Sequence, residues 1–142
     1  VAFKQHIDDL VKALEGIEYD KVVGLESRGF VIGSALAYAA GKGFTVIRKA
    51  GKLPTDKVTA DYVKEYGTDV FELDKEDLGK GEKAIIIDDL LATGGTAVAA
   101  IELIEKAGAQ VAGCAFVFEL TGLEVKPELK NYKVISLKKY PQ

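Results

Sequence analysis

The chain has 142 residues, 48% hydrophobic and 29% charged, with 19 Lys and Arg against 22 Asp and Glu for a formal net charge of -3. That length fits one domain with a sizeable core, and the apolar content excludes a disordered chain. The lone Cys114 excludes an internal disulfide framework, no apolar run approaches the ~18 residues of a membrane span, and the mildly acidic balance argues against general nucleic-acid binding.

The sequence as read opens on an amphipathic segment rather than a leader, and it contains no Met. The expectation is a cytoplasmic protein whose first residues, before Val1, have been removed, processed or left out. Phe3, Ile7, Leu10, Val11 and Leu14 recur at helical spacing and predict a helix that packs one stripe on a core. His6 falls on its polar side with no second ligand nearby, and no role is assigned to it. Val22-Val23-Gly24-Leu25 reads as a buried strand, Phe30 to Ala40 as an Ala-rich helix closed by Gly41, and Phe44-Thr45-Val46-Ile47 as the next strand.

Between Arg48 and Lys83 the pattern weakens, with Gly51, Pro54, Gly67, Gly79 and Gly81 among many charges. An exposed loop is expected there, then a β-hairpin over Thr59–Tyr66 and Val70–Leu73 that turns near Gly67. Ala84-Ile85-Ile86-Ile87 is continuous and apolar, as a strand covered on both faces should be. A helix over Ala97–Ala107 ending at Gly108, a strand over Val111–Val117 that buries Cys114, and a last strand at Val134-Ile135-Ser136-Leu137 complete the chain. This alternation predicts an α/β fold, an open, mostly parallel sheet with helices on both faces plus a hairpin flap, in a single domain over residues 1–142. Sites in such sheets lie beyond the carboxyl ends of the strands, here after Leu25, Ile47 and Ile87.

After Ile87 the chain reads Asp88-Asp89-Leu90-Leu91-Ala92-Thr93-Gly94-Gly95-Thr96 and then enters a helix. Gly94 and Gly95 let backbone N–H groups approach an anion, the helix start adds further N–H groups, and Thr93 and Thr96 add hydroxyls. Asp88 and Asp89 can accept hydrogen bonds from the vicinal hydroxyls of a ribose. Phosphate cradle and acid pair together read as a ribose 5-phosphate site. Glu26-Ser27-Arg28-Gly29 sits at another strand end, and Arg48, Lys49 and Lys52 form a basic cluster after the next. Taken alone, Arg28 also fits a surface ion pair, the cluster a solvated charge run, and Glu65 an exposed strand residue.

The stretch from Ala84 to Thr96 resembles the phosphoribosyl-pyrophosphate (PRPP) signature of type I phosphoribosyltransferases. The likeness continues through Gly24-Leu25-Glu26-Ser27-Arg28-Gly29-Phe30, Arg48-Lys49-Ala50-Gly51-Lys52-Leu53-Pro54, Glu65-Tyr66-Gly67 and Glu119-Leu120-Thr121, and the middle two narrow it to the adenine branch of the family. The resemblance implies transfer of ribose 5-phosphate from PRPP to adenine, giving AMP and pyrophosphate, with Mg²⁺ as cofactor, in a homodimer. Another purine or pyrimidine base, or a non-catalytic PRPP-sensing regulator, are the alternatives.

The same resemblance implies that Asp88 and Asp89 hold the ribose, that Ala92, Thr93, Gly94, Gly95 and Thr96 hold the 5-phosphate, and that Arg28, Lys49 and Lys52 hold pyrophosphate. Ser27 lies in the pyrophosphate loop, where a non-proline cis peptide is expected between Glu26 and Ser27. Arg48 and Tyr66 also contact PRPP, Glu65 acts as general acid or base, and Leu90 lies against the base. Family members carry a further N-terminal segment, part of a hood over the base. It is missing from this sequence, so the PRPP half of the site is expected to be complete and adenine to be told poorly from hypoxanthine.

The segment from about Lys49 to Glu72 is expected to be a flap of low local stability. Amide hydrogen exchange across it should be fast in the ligand-free chain and slow on adding PRPP with Mg²⁺. Uniform protection in both states would argue against a closing flap.

Overall fold

The structure is a computed structural model that describes residues 2–49, 62–66, 69–73 and 75–141. Its strands are β1 (Lys21–Leu25), β2 (Gly43–Lys49), β3 (Tyr62–Tyr66), β4 (Asp69–Leu73), β5 (Lys83–Leu91), β6 (Gln110–Thr121) and β7 (Val134–Pro141). Its helices are α1 (Ala2–Ala13), α2 (Arg28–Ala40) and α3 (Gly95–Lys106), with short 3₁₀ turns at Lys75–Asp77 and Pro127–Asn131. The expected turn at Gly67, the loop residues Gly51, Lys52 and Pro54, and the start of the hairpin at Thr59 lie outside the described residues.

The strands form one sheet in the order β3-β4-β2-β1-β5-β6-β7. The run from β2 to β7 is parallel, and the hairpin β3–β4 is antiparallel and joined to it where Arg48 and Lys49 of β2 face Glu72 and Phe71 of β4. The predicted architecture is therefore present. Period-two alternation along β5 divides the interior into two layers. Ile85 and Ile87 pack with Leu10 of α1, Leu14 just after it, and Leu36 and Ala37 of α2, while Ile86 packs with Ala97, Ala100 and Ile104 of α3 on the other face. All three isoleucines are fully buried, each contributing about 1.5–3 kcal/mol. Cys114 lies in the α3 layer, buried as expected.

Three expectations need correction. β5 does not stop at Ile87 but runs on to Leu91, so Asp88 and Asp89 are strand residues. The ladder with β6 continues past them, pairing Asp88 with Phe116 and Leu90 with Phe118. α3 starts at Gly95, two residues early, so Gly95 and Thr96 belong to its first turn. Phe3 is 47% exposed and lies outside the core stripe of α1. His6 on the same helix sets its ring edge-on to Phe118, with centroids 5.7 Å apart.

Glycines let α2 lie close on the sheet. A Cβ on Gly24 of β1 would stand 2.6 Å from the carbonyl oxygen of Gly29, and one on Gly29 would stand 2.7 Å from the carbonyl oxygen of Ile87. Both obstacles are backbone atoms, which cannot swing aside as a side chain can. Gly24→Ala is therefore expected to cost about 1–3 kcal/mol or more through overpacking. In a chain of this size that lowers Tm by roughly 2–4 °C per kcal/mol, readable by thermal denaturation.

Candidate functional site

The carboxyl ends of β1, β2 and β5 meet at one edge of the molecule. β1 leads through Glu26 and Ser27 into α2, and the peptide between those two residues is cis. Ser27 is the N-cap of α2, but its side chain makes no capping hydrogen bond, so its hydroxyl is not spent on the helix. Arg28 opens the helix and sets its Nε 2.8 Å from Oδ2 of Asp89, with side chains 77% and 18% exposed respectively.

Asp88 Oδ1 accepts a hydrogen bond from the Asp89 N–H at 2.8 Å. Burial is the main cause that raises the Asp88 carboxyl from 3.8 to about 7; the Asp89 N–H opposes the rise, the Asp89 carboxylate adds to it, and the charge of Arg28 opposes it. Cys114 has no part here: burial pushes its thiol up to about 12.

Beyond the acids the chain turns at Gly94, whose φ is +90°. That left-handed φ is what calls for glycine, and a Cβ there would also meet a methyl of Leu129, which would have to shift. The loop is tied from outside, because the Lys126 N–H donates to the Thr93 carbonyl at 2.8 Å. No side chain caps α3, which leaves its first-turn N–H groups facing a cavity of about 230 Å³. Ala92, Thr93, Gly94, Gly95, Thr96, Asp88 and Leu90 all line that cavity. An adjoining cavity of about 340 Å³ is lined by Glu26, Ser27, Arg28, Asp88, Asp89 and Leu90. Ten of the site residues singled out in the sequence thus line two neighbouring cavities.

The others divide. Arg48 lies apart from the acids, in a groove with Phe30, Phe44 and Val46 that also reaches Glu26 and Ser27. The backbones of Lys49, Glu65 and Tyr66 are in β2 and β3, and Lys52 lies outside the described residues. The sequence reading missed Phe71 and Phe116, which line the cavity of about 230 Å³, and Leu129 behind Gly94. Phe71 and Phe116 look like ordinary core residues, and only the sheet order brings β4 and β6 to the same strand end.

Among the described residues no cluster of three His, Cys, Asp or Glu side chains could hold a metal ion, and no helix is long and apolar enough to cross a membrane. The adjoining cavity nevertheless offers carboxylate oxygens, the hard donors that Mg²⁺ takes, in a number suited to an ion that arrives on substrate phosphates.

Comparison with known proteins agrees with this geometry. The family model for the phosphoribosyl transferase domain matches residues 2–140. An adenine phosphoribosyltransferase of Chlorobium luteolum is 52% identical over 141 residues, covering 96% of this chain and 80% of the relative. The crystal structure of the adenine phosphoribosyltransferase of Thermoanaerobacter pseudethanolicus superposes with a TM-score of 0.89 at 44% identity, covering 98% of this chain and 80% of the other. The Saccharomyces cerevisiae enzyme, solved in complex with adenine and an imino-altritol bisphosphate, gives a TM-score of 0.73 at 44% identity over 95% of this chain and 78% of its own.

The raised Asp88 carboxyl has a consequence for stability. The folded chain holds the Asp88 proton more tightly than the unfolded chain, so the associated stability is complete at low pH and is lost as pH rises toward about 7. Asp88→Asn removes that ionisation and keeps an oxygen for the Asp89 N–H. Its Tm, relative to the unsubstituted chain, should therefore rise between about pH 4 and about pH 8 in scanning calorimetry. A constant difference across that range would show that Asp88 ionises normally.

Proposed function

The chain belongs to the phosphoribosyl transferase domain family, and from that premise we propose that it transfers the 5-phosphoribosyl group of PRPP to adenine, giving AMP and pyrophosphate. The observation that carries this reading is the end of β5, where two carboxylates precede a glycine turn and an uncapped helix start. Hydroxyl acceptors beside an anion cradle suit a ribose 5-phosphate and little else.

In this reading Asp88 and Asp89 accept hydrogen bonds from the two ribose hydroxyls. Their charge also favours the positive charge that builds on the sugar as its bond to pyrophosphate breaks ahead of the new bond to adenine. The N–H groups of Gly94, Gly95 and Thr96, with the hydroxyls of Thr93 and Thr96, hold the 5-phosphate, and Ala92 shapes the start of the loop. Ser27, Arg28, Arg48, Lys49 and Lys52 take the leaving pyrophosphate, and Tyr66 contacts the phosphates. Glu65 moves the proton of the adenine ring, and Leu90 packs on its face.

Mg²⁺ would lie in the cavity faced by Asp88 and Asp89, held mainly by substrate oxygens, and there it would neutralise pyrophosphate charge. We assign the protein to the cytoplasm, in keeping with its free thiol at Cys114. The exposed Val31, Tyr38 and Phe44 on α2 and β2 favour a homodimer joined through that side.

The test is an assay of AMP formation from PRPP and adenine, with hypoxanthine and a pyrimidine as competing bases. Replacing both acids, Asp88→Asn with Asp89→Asn, should lower kcat/KM by about a hundredfold or more, the scale of two charge-assisted hydrogen bonds, with the far-UV circular dichroism unchanged. Near-normal turnover in the double variant would remove the acid pair from the site.

A further inference from the structure

Arg28 and Asp89 serve adjoining parts of PRPP, the pyrophosphate and the ribose hydroxyls, in the reading above, on which this inference rests, yet here they hold each other. We propose that Arg28 is a latch on Asp89, closed on the ribose acceptor in the ligand-free chain and drawn off it by pyrophosphate.

The backbone under the latch is fixed. Gly29 sits against Ile87 and Asp88 with no room for a Cβ, so the start of α2 packs directly on β5. The freedom lies in the arginine side chain, which is 77% exposed while its partner is 18% exposed. It also stands between two open spaces. One is the cavity shared with Glu26, Ser27 and Asp88, and the other is a groove of about 340 Å³ reaching Phe3, His6 and Phe118. The guanidinium therefore has somewhere to go.

The energies favour exchange. An ion pair with one exposed partner is cheap to break, whereas a guanidinium gains paired, charge-assisted hydrogen bonds from a phosphate. Without Arg28 the empty site would face two adjacent carboxylates and no cation between them. With Arg28 on Asp89, part of the acceptor capacity of that carboxylate, at Oδ2, is held by the guanidinium. Pyrophosphate thus exchanges one partner of Arg28 for another and frees Asp89 in the same step. Arg28 is a positioning residue for the ribose as well as a pyrophosphate ligand, and by linkage the two ligands favour each other's binding.

The latch predicts affinity changes of opposite sign. Calorimetric titrations with pyrophosphate and with ribose 5-phosphate, each in Mg²⁺, should be run on the unsubstituted chain, Arg28→Gln and Asp89→Asn. Arg28→Gln should weaken pyrophosphate roughly tenfold or more and tighten ribose 5-phosphate roughly two- to fivefold. Asp89→Asn should do the reverse, weakening ribose 5-phosphate and tightening pyrophosphate by a similarly small factor. An arginine that only contacts pyrophosphate would leave ribose 5-phosphate unchanged, and one that holds the ribose would weaken it; either result overturns the latch. So does weaker or unchanged pyrophosphate binding in Asp89→Asn. Each variant decides the question alone if the other fails to fold. An unsubstituted chain that binds neither ligand overturns the functional reading itself and the latch with it, whereas normal binding with the wrong signs in the variants overturns the latch alone.

Discussion

The site depends on a backbone contact that only glycine permits. Gly24 in β1 faces the carbonyl of Gly29, and Gly29 faces the carbonyl of Ile87, each at a distance too short for a side chain. Gly33, one turn further along α2, sits close to the ring of Phe44 on β2, a side-chain rather than a backbone contact. These contacts seat the start of α2 against the ends of β1 and β5. They are why Ser27 and Arg28 from one connection stand beside Asp88 and Asp89 from another, some sixty residues later in the chain. Tight packing elsewhere stabilises the fold, whereas packing here also sets the geometry between a cation and two acids.

Strand alternation then gives the two acids separate surroundings. Successive strand side chains point to opposite faces, so neighbours in sequence need not share an environment. Both acids line the cavity shared with Arg28, but Asp88 also borders the cavity beneath the glycine turn, with Phe71 and Phe116, while Asp89 also borders the groove of His6 and Phe118. Burial acts on Asp88, and an ion pair acts on Asp89.

The sequence reading placed the strands, the helices and most of the residues that line the two cavities because each rests on a local signal: an apolar run, a helical stripe, a glycine pair between threonines. It failed where tertiary structure overrides such signals. Two carboxylates end the apolar pattern at Ile87, yet β6 runs alongside to Thr121 and keeps the ladder going past them. Gly95 and Thr96 are weak helix formers, so the pattern suggests a later start for α3 than its backbone adopts. Phe3 has the spacing of a core residue but lies in the first turn of α1, among exposed neighbours. The pairing of Arg28 with one particular acid had no sequence signal, since only the approach of α2 to β5 chooses Asp89.

The anchoring of the Gly94 turn gives the phosphate loop a second set of determinants remote from any ligand. Leu129 presses on Gly94 and the Lys126 N–H holds the Thr93 carbonyl, while neither residue lines the cavity. The shape of that turn is thus partly set by the β6–β7 connection, a stretch that inspection of the cavity lining would pass over. A change of side chain at Leu129, or a proline at position 126 that removes the N–H, acts on the turn while every residue lining the cavity stays the same. A comparison of two such proteins by their cavity residues alone would count them as equivalent when they are not.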